Sequence, residues 1–219
     1  MLARFAEQQP VGRRGSNLAA TYGLRGDHSL NPGTVPPSSG PSGTGLTGAA
    51  VLVPIVDHPT GLSVLLTQRT AHLTDHAGQI SFPGGRIEPS DEHPVAAALR
   101  EAEEEVGLPA SHVDIVGRLD TYVTGTGFEI VPVVALVRPP YPLQPDPFEV
   151  AEVFEVPLDF LVDPGNLQRG SREWQGKTRF FFVLPYEDRY IWGATAGMLV
   201  NLAEVLAPEL AGDRPQTDF

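Results

Sequence analysis

Residues 84 to 108 read GGRIEPSDEHPVAAALREAEEEVGL, and the run from Arg100 to Gly107 places four glutamates in one short segment of helical pattern. At about 100° per residue, Glu101 and Glu105 lie one turn apart, roughly 40° from each other. Glu104 falls about 60° to the other side of Glu101, so three carboxylates share one face while Glu103 points away. Like charges at this spacing repel on an isolated helix, and a divalent cation turns that repulsion into attraction. Hard carboxylate oxygens suit Mg²⁺ or Mn²⁺. The other face predicts a folded helix: Val95, Leu99, Ala102 and Val106 recur at i, i+4, i+7 and i+11 and form a narrow apolar stripe. Asp91 is the expected N-cap, and Pro94 falls where a missing N–H costs nothing. Gly107 is placed for a left-handed end. Ala97 and Ala98 leave room for another backbone to approach. An acidic helix face taken alone is more often simply solvated, so the surrounding residues have to decide.

The segment resembles the signature of the Nudix hydrolases: a glycine, a short loop, a glutamate, seven residues, then Arg-Glu-apolar-any-Glu-Glu-any-Gly-apolar. Glu92, seven residues and Arg100 to Leu108 fit its second half without exception. In the first half, six residues rather than five separate Gly85 from Glu92. A loop one residue longer is similar to that of the coenzyme A pyrophosphatase branch. Residues 65 to 85, LLTQRTAHLTDHAGQISFPGG, also resemble that branch's extra motif through Leu65, Leu66, Thr67, Arg69, Gly78, Phe82, Pro83, Gly84 and Gly85. Thr70 stands where Ser or Ala is usual, and Thr74 where an Arg able to contact a substrate phosphate is usual.

The resemblance implies a metal-dependent pyrophosphohydrolase that cuts coenzyme A or acyl-CoA to 3′,5′-ADP and 4′-phosphopantetheine or its acyl form. It implies Mg²⁺ or Mn²⁺ held by Glu101, Glu105 and Glu104, with the Gly85 carbonyl as a further ligand. One of the three glutamates could instead be the general base. Arg100 belongs to the catalytic group, placed to orient a carboxylate rather than to touch substrate. Arg69, His76 and Gly78 are candidate substrate contacts. Glu149 is the candidate for an extra carboxylate from a distant loop, with Glu152 in reserve. Glu92 is either a partner of the ligands or a favourable charge at a helix start. Two alternatives stay open: another nucleoside diphosphate derivative as substrate (an ADP-sugar or a dinucleotide), and a nucleotide-sensing module without turnover.

Composition agrees with a cytoplasmic enzyme. The 219 residues include no cysteine, which rules out disulfides, thiolate metal sites and thiol nucleophiles. A formal net charge of −12 argues against a nucleic-acid polymer as partner. No apolar run reaches the length of a membrane span, and MLARFAEQQPVGRRG lacks the apolar core of a signal peptide.

Residues 1–46 are poor in large apolar groups and include the Pro/Gly/Ser-rich stretch NPGTVPPSSGPSGTGL, so they are expected to form a flexible tail and linker. On that reading, removing residues 1–44 leaves the melting temperature nearly unchanged. The catalytic domain is expected over 47–212, with a C-terminal tail at 213–219. Strands are expected at 49–56, 62–69, 113–123, 128–137, 150–156 and 178–184, a helical turn at 157–161, and a buried helix at 193–206. Tyr190, Ile191 and Trp192, just before that helix, read by default as core. This order suits an α/β fold, a Nudix-type α/β/α sandwich with a mixed sheet between helices.

Overall fold

The computed structural model describes residues 23–31, 45–73, 76–174 and 176–213. Its centre is β2 (Thr47–His58), whose residues 49–56 are all buried. Such a continuous apolar run marks a strand covered on both faces. Side chains alternate along it: Val51, Val53 and Ile55 enter one core, Ala50 and Leu52 the other. β3 (Gly61–Arg69) pairs antiparallel on one side of β2, and β8 (Phe128–Val137) pairs parallel on the other. The mixed sheet runs β1 (Leu24–Gly26), β7 (Thr121–Val123), β8, β2, β3, β4 (Ile80–Ser81). β5 (Gly84–Arg86) pairs with β2, β6 (Val113–Arg118) with β8, and β9 (Val150–Pro157) with β3.

Helix α1 (Pro94–Val106) covers one face through Ala97, Ala98, Ala102 and Val106, against Ala50, Leu52, Val133 and Ala135. The opposite face is covered by α2 (Leu158–Val162) and α3 (Gly193–Leu206). The chain is therefore an α/β protein with a mixed sheet between helices. A second antiparallel sheet, β10 (Gln168–Trp174), β11 (Lys177–Tyr186) and β12 (Arg189–Trp192), packs Leu184 and Ile191 into the α3 side. Tyr190, expected in the core, is exposed, because only alternate residues of β12 face inward.

Two expectations need correction. The stretch 113–123 is two strands, broken at Leu119–Asp120. Asp120 turns its carboxylate to the Gly23 N–H (2.8 Å) and Arg25 (2.6 Å), while its own N–H donates to Asn201. Val95 and Leu99 of the predicted stripe are only partly buried, and the helix seats itself on its alanines instead.

The expected tail and linker, residues 1–46, lies outside the described residues except at 23–31 and 45–46. Within residues 1–46, β1 pairs parallel with β7, and Asp27 accepts hydrogen bonds from the Tyr122 hydroxyl (2.8 Å) and the Gly125 N–H (2.7 Å). Asn31 bonds both the N–H and the C=O of Phe180. This piece is too short and polar to show hydrophobic periodicity; its attachment is made of hydrogen bonds and one buried apolar side chain, Leu30. Replacing Asp27 with Ala strands the buried Tyr122 hydroxyl, so unfolding stability should fall by about 1–3 kcal/mol in a urea titration. Wild-type stability in that variant would show that the segment is not docked in solution.

Candidate active site

The site begins where β5, the loop after it and α1 meet. Helix α1 starts at Pro94, and the N-cap is His93, whose Nδ1 accepts the Ala96 N–H at 3.0 Å. Asp91 therefore does not cap. Its carboxylate folds back over the helix to take Arg100 in a two-point clasp, Nε to Oδ1 at 3.1 Å and Nη2 to Oδ2 at 3.0 Å. The remaining donors of the same guanidinium go to Glu101 (3.0 Å), Glu104 (2.9 Å) and the Arg86 carbonyl (3.1 Å). All five N–H groups are used, so Arg100 is an organiser of carboxylates. Arg100, with the Glu88 N–H, holds the Asp91 carboxyl below its ordinary range. Glu92 is exposed at the helix start.

The glycines let the helix come close. A Cβ on Gly85 would lie 2.5 Å from the Glu101 carboxyl carbon, so only glycine allows that carboxylate to rest on the strand. At the other end Gly107 caps α1 in the left-handed conformation (φ 68°). That end is packed by the segment after β8: the Asp146 N–H donates to the Glu105 carbonyl and the Gln144 N–H to the Val106 carbonyl, both at 2.9 Å.

Glu105 is the buried member of the acidic face, 5% exposed. Its Oε2 accepts the Gly84 N–H at 3.0 Å, and its Oε1 lies 3.6 Å from Nη1 of Arg69 at the end of β3. Burial pushes its carboxyl up to about 7, against the lowering effects of Gly84 and Arg69 and with added repulsion from Glu101 and Glu149. Burial also raises Glu101, with repulsion from Glu104 and Glu149, while Arg100 opposes it. Glu149 therefore sits close enough for its charge to be felt at both. Its backbone is fixed by the Thr70 N–H (2.9 Å), and the Thr70 hydroxyl bonds the neighbouring Phe148 carbonyl (2.8 Å), a task alanine could not do.

The structure thus brings together Glu101, Glu105, Gly85, Arg69, Arg100 and the Glu149 segment. Glu104 is largely exposed and joins through Arg100. Glu152 is engaged elsewhere, by Arg189. His76 and Gly78 are exposed, in a turn where His76 Nδ1 meets Gln79 (2.9 Å) and the Gly78 carbonyl accepts from Gln68. Neither meets the carboxylates among the described residues, and Thr74 lies outside those residues. Sequence reasoning missed the Asp91 clasp and the Gly84 N–H. A signal for the clasp was present: the only Arg of α1 has an aspartate in the preceding loop, beyond the reach of ordinary helix pairing.

No three acidic or histidine side chains among the described residues converge as a finished ion cage. Arg100 draws Glu101 and Glu104 to itself, and Glu105 turns to Gly84. The donor chemistry nevertheless fits a hard divalent cation, since Glu101, Glu105 and Glu149 repel one another and two of them are driven toward protonation by burial. A pH test follows. The folded-state pKa of Glu105 lies above its ordinary value of 4.5, so this group favours the folded state fully below pH 4.5 and loses that contribution as pH rises through about 7. In chelator, this group should make the fold less stable at pH 8 than at pH 5.5. Mg²⁺ or Mn²⁺ should raise the melting temperature more at pH 8, where the carboxylate is free to bind. An equal metal-induced shift at both pH values would remove Glu105 from the ion site.

The NUDIX domain family matches residues 46–175 of this chain. A protein of Escherichia coli K12 named "Uncharacterized Nudix hydrolase NudL" is 42% identical over 155 residues, covering 71% of this chain and 80% of that protein. Among solved structures, a Caenorhabditis elegans Ap4A hydrolase binary complex is 23% identical with a TM-score of 0.44, covering 51% of this chain and 80% of that one. The Nudix hydrolase RenU of M. smegmatis is 29% identical with a TM-score of 0.42, covering 52% and 73%. No helix among the described residues is long and apolar enough to cross a membrane. By the family match and the identity to NudL, with the glutamate helix folded against its glycine strand, this chain belongs to the Nudix hydrolase family.

Proposed function

We propose that the chain is a metal-dependent pyrophosphohydrolase that cleaves coenzyme A or acyl-CoA to 3′,5′-ADP and 4′-phosphopantetheine or its acyl form. The observation that carries the reading is the meeting of the two sequence motifs at Glu105. Arg69, from the 65–85 stretch, faces the buried glutamate of α1, and its Nε is buried without a hydrogen-bond partner among the described residues. A cation with an unspent donor beside acidic groups is suited to hold a phosphate oxygen.

In this reading Glu101 and Glu105, with Glu104, Glu149 and the Gly85 carbonyl within the same group, hold Mg²⁺ or Mn²⁺. Such an ion would supply charge neutralisation on the diphosphate and make a water easier to deprotonate. A water oxygen forms a bond to one phosphorus, the bridging P–O bond breaks, and the carboxylate not spent on the metal takes the water's proton. Arg100 keeps Glu101 and Glu104 in register, and Arg69 steadies the diphosphate. His76 and Gly78, in the exposed turn before β4, are assigned to the outer part of the substrate. The chain works on a small nucleotide rather than a polymer, in keeping with its net charge of −12, and in the cytoplasm.

Phosphorus NMR of coenzyme A incubated with the pure protein tests this. With Mg²⁺ or Mn²⁺, 3′,5′-ADP should accumulate, and a chelator should stop it. Cleavage of ADP-ribose or a dinucleotide with coenzyme A left intact would overturn the substrate and favour the rival diphosphate. Failure on all of them would favour a nucleotide-sensing module.

A further inference from the structure

The small sheet has a second face. Side chains alternate across it, and while Leu184 and Ile191 point into the core, Arg172, Trp174, Lys177, Arg179, Phe181 and Trp192 share the outer side. The Arg172 guanidinium lies 5.2 Å from the Trp174 ring and 5.8 Å from the Trp192 ring, and Phe181 meets Trp192 edge-on at 5.1 Å. Trp174 is 52% exposed.

Arg172 and Arg179 are directly opposite in the antiparallel pair, and Lys177 is opposite Trp174. Like charges facing each other across two strands destabilise the sheet. None of these three cations has an ion-pair partner among the described residues, and Glu173, on the opposite face, is bonded by Thr178. In a chain of net charge −12, three unneutralised cations beside two indoles are a local reversal of the field.

We propose that this outer face is a binding site for a nucleoside phosphate, with the phosphate bridging Arg172 and Arg179 and the base stacked on the tryptophan rings. A stacked arginine still presents its N–H edge to an anion, and base–aromatic stacking accepts any base. A small ligand fits better than a polyanion or an anionic membrane, since either of those would have to lie against the acidic remainder of the molecule. The choice of adenine nucleotide rests on the proposed reaction, which would release one; the face itself does not.

Trp174 and Trp192 are the only tryptophans of the chain, so selectively excited tryptophan emission reports on this face rather than on the five tyrosines. Titration with 3′,5′-ADP in chelator, which silences the metal site, should quench the emission saturably, with inorganic phosphate competing weakly. Arg172→Gln and Arg179→Gln should each weaken that binding at least tenfold without lowering the melting temperature. Because no turnover is measured, failure to cleave coenzyme A leaves this test intact, and 5′-ADP serves as the second probe. No saturable response to either nucleotide, a response indifferent to both substitutions, or one given only by an oligonucleotide or a phosphatidylserine vesicle would overturn the site.

Discussion

Glu105→Gln should lower turnover at least about a hundredfold, a loss of about 2.7 kcal/mol in transition-state stabilisation, while the fold remains intact. Glutamine keeps the size and the carbonyl that can accept the Gly84 N–H, so the 3.0 Å contact has a replacement acceptor. It removes the charge. Wild-type Glu105 is buried and, even with Arg69 beside it, pushed up to about 7, so part of the carboxyl is protonated near neutrality until a bound cation pulls it toward the ionised form. The neutral amide relieves repulsion with Glu101 and Glu149, and the variant should be at least as stable as wild type in chelator. Stability and activity therefore move in opposite directions, which separates a functional carboxylate from a structural one. Near-wild-type turnover would remove Glu105 from the chemistry. A collapse of stability with activity would make it a packing residue.

Much of the frame was legible because it rests on periodicity. The continuous apolar runs of β2 and β8 and the span of α3 are set by burial, which leaves a direct imprint on residue type. The three-glutamate face and its glycine partner were legible for a different reason. Gly85 has to be glycine because Glu101 rests on it, and that spacing is a motif in the chain. What sequence did not reveal is held by single hydrogen bonds between distant residues. Asp91 looks like an N-cap by its position, yet His93 caps with a ring nitrogen and frees Asp91 to reach Arg100. The Asp27 and Asn31 contacts are likewise made by polar side chains in a stretch of tail-like composition. β4 and β5 are two and three residues long, too short for a pattern. The outer face of β10 to β12 escaped notice because β10 carries no apolar alternation of its own.

Arg100→Lys should cost about 10- to 100-fold in metal affinity or activity, although the charge is kept, as is typical when a partner of the metal ligands is lost. The guanidinium makes five hydrogen bonds at once: two to Asp91, one each to Glu101 and Glu104, and one to the Arg86 carbonyl. An ammonium has three donors and no planar fork, so it cannot keep the Asp91 clasp and still hold both glutamates. Whichever contact it drops, the link between the 86–91 loop and the acidic face is broken. The effect should appear as a weaker response to Mg²⁺ titration, and saturating metal should recover part of the turnover. Asp91→Asn, altered only at the far end of the same clasp, should shift the metal response in the same direction and by less. Metal titrations of the two variants that match wild type would show that Arg100 is a solvated helix residue whose bonds do not order the site. A fall in maximal turnover with unchanged metal dependence would instead place the guanidinium against the substrate, and the loop geometry around Asp91 would then have to open to let it through.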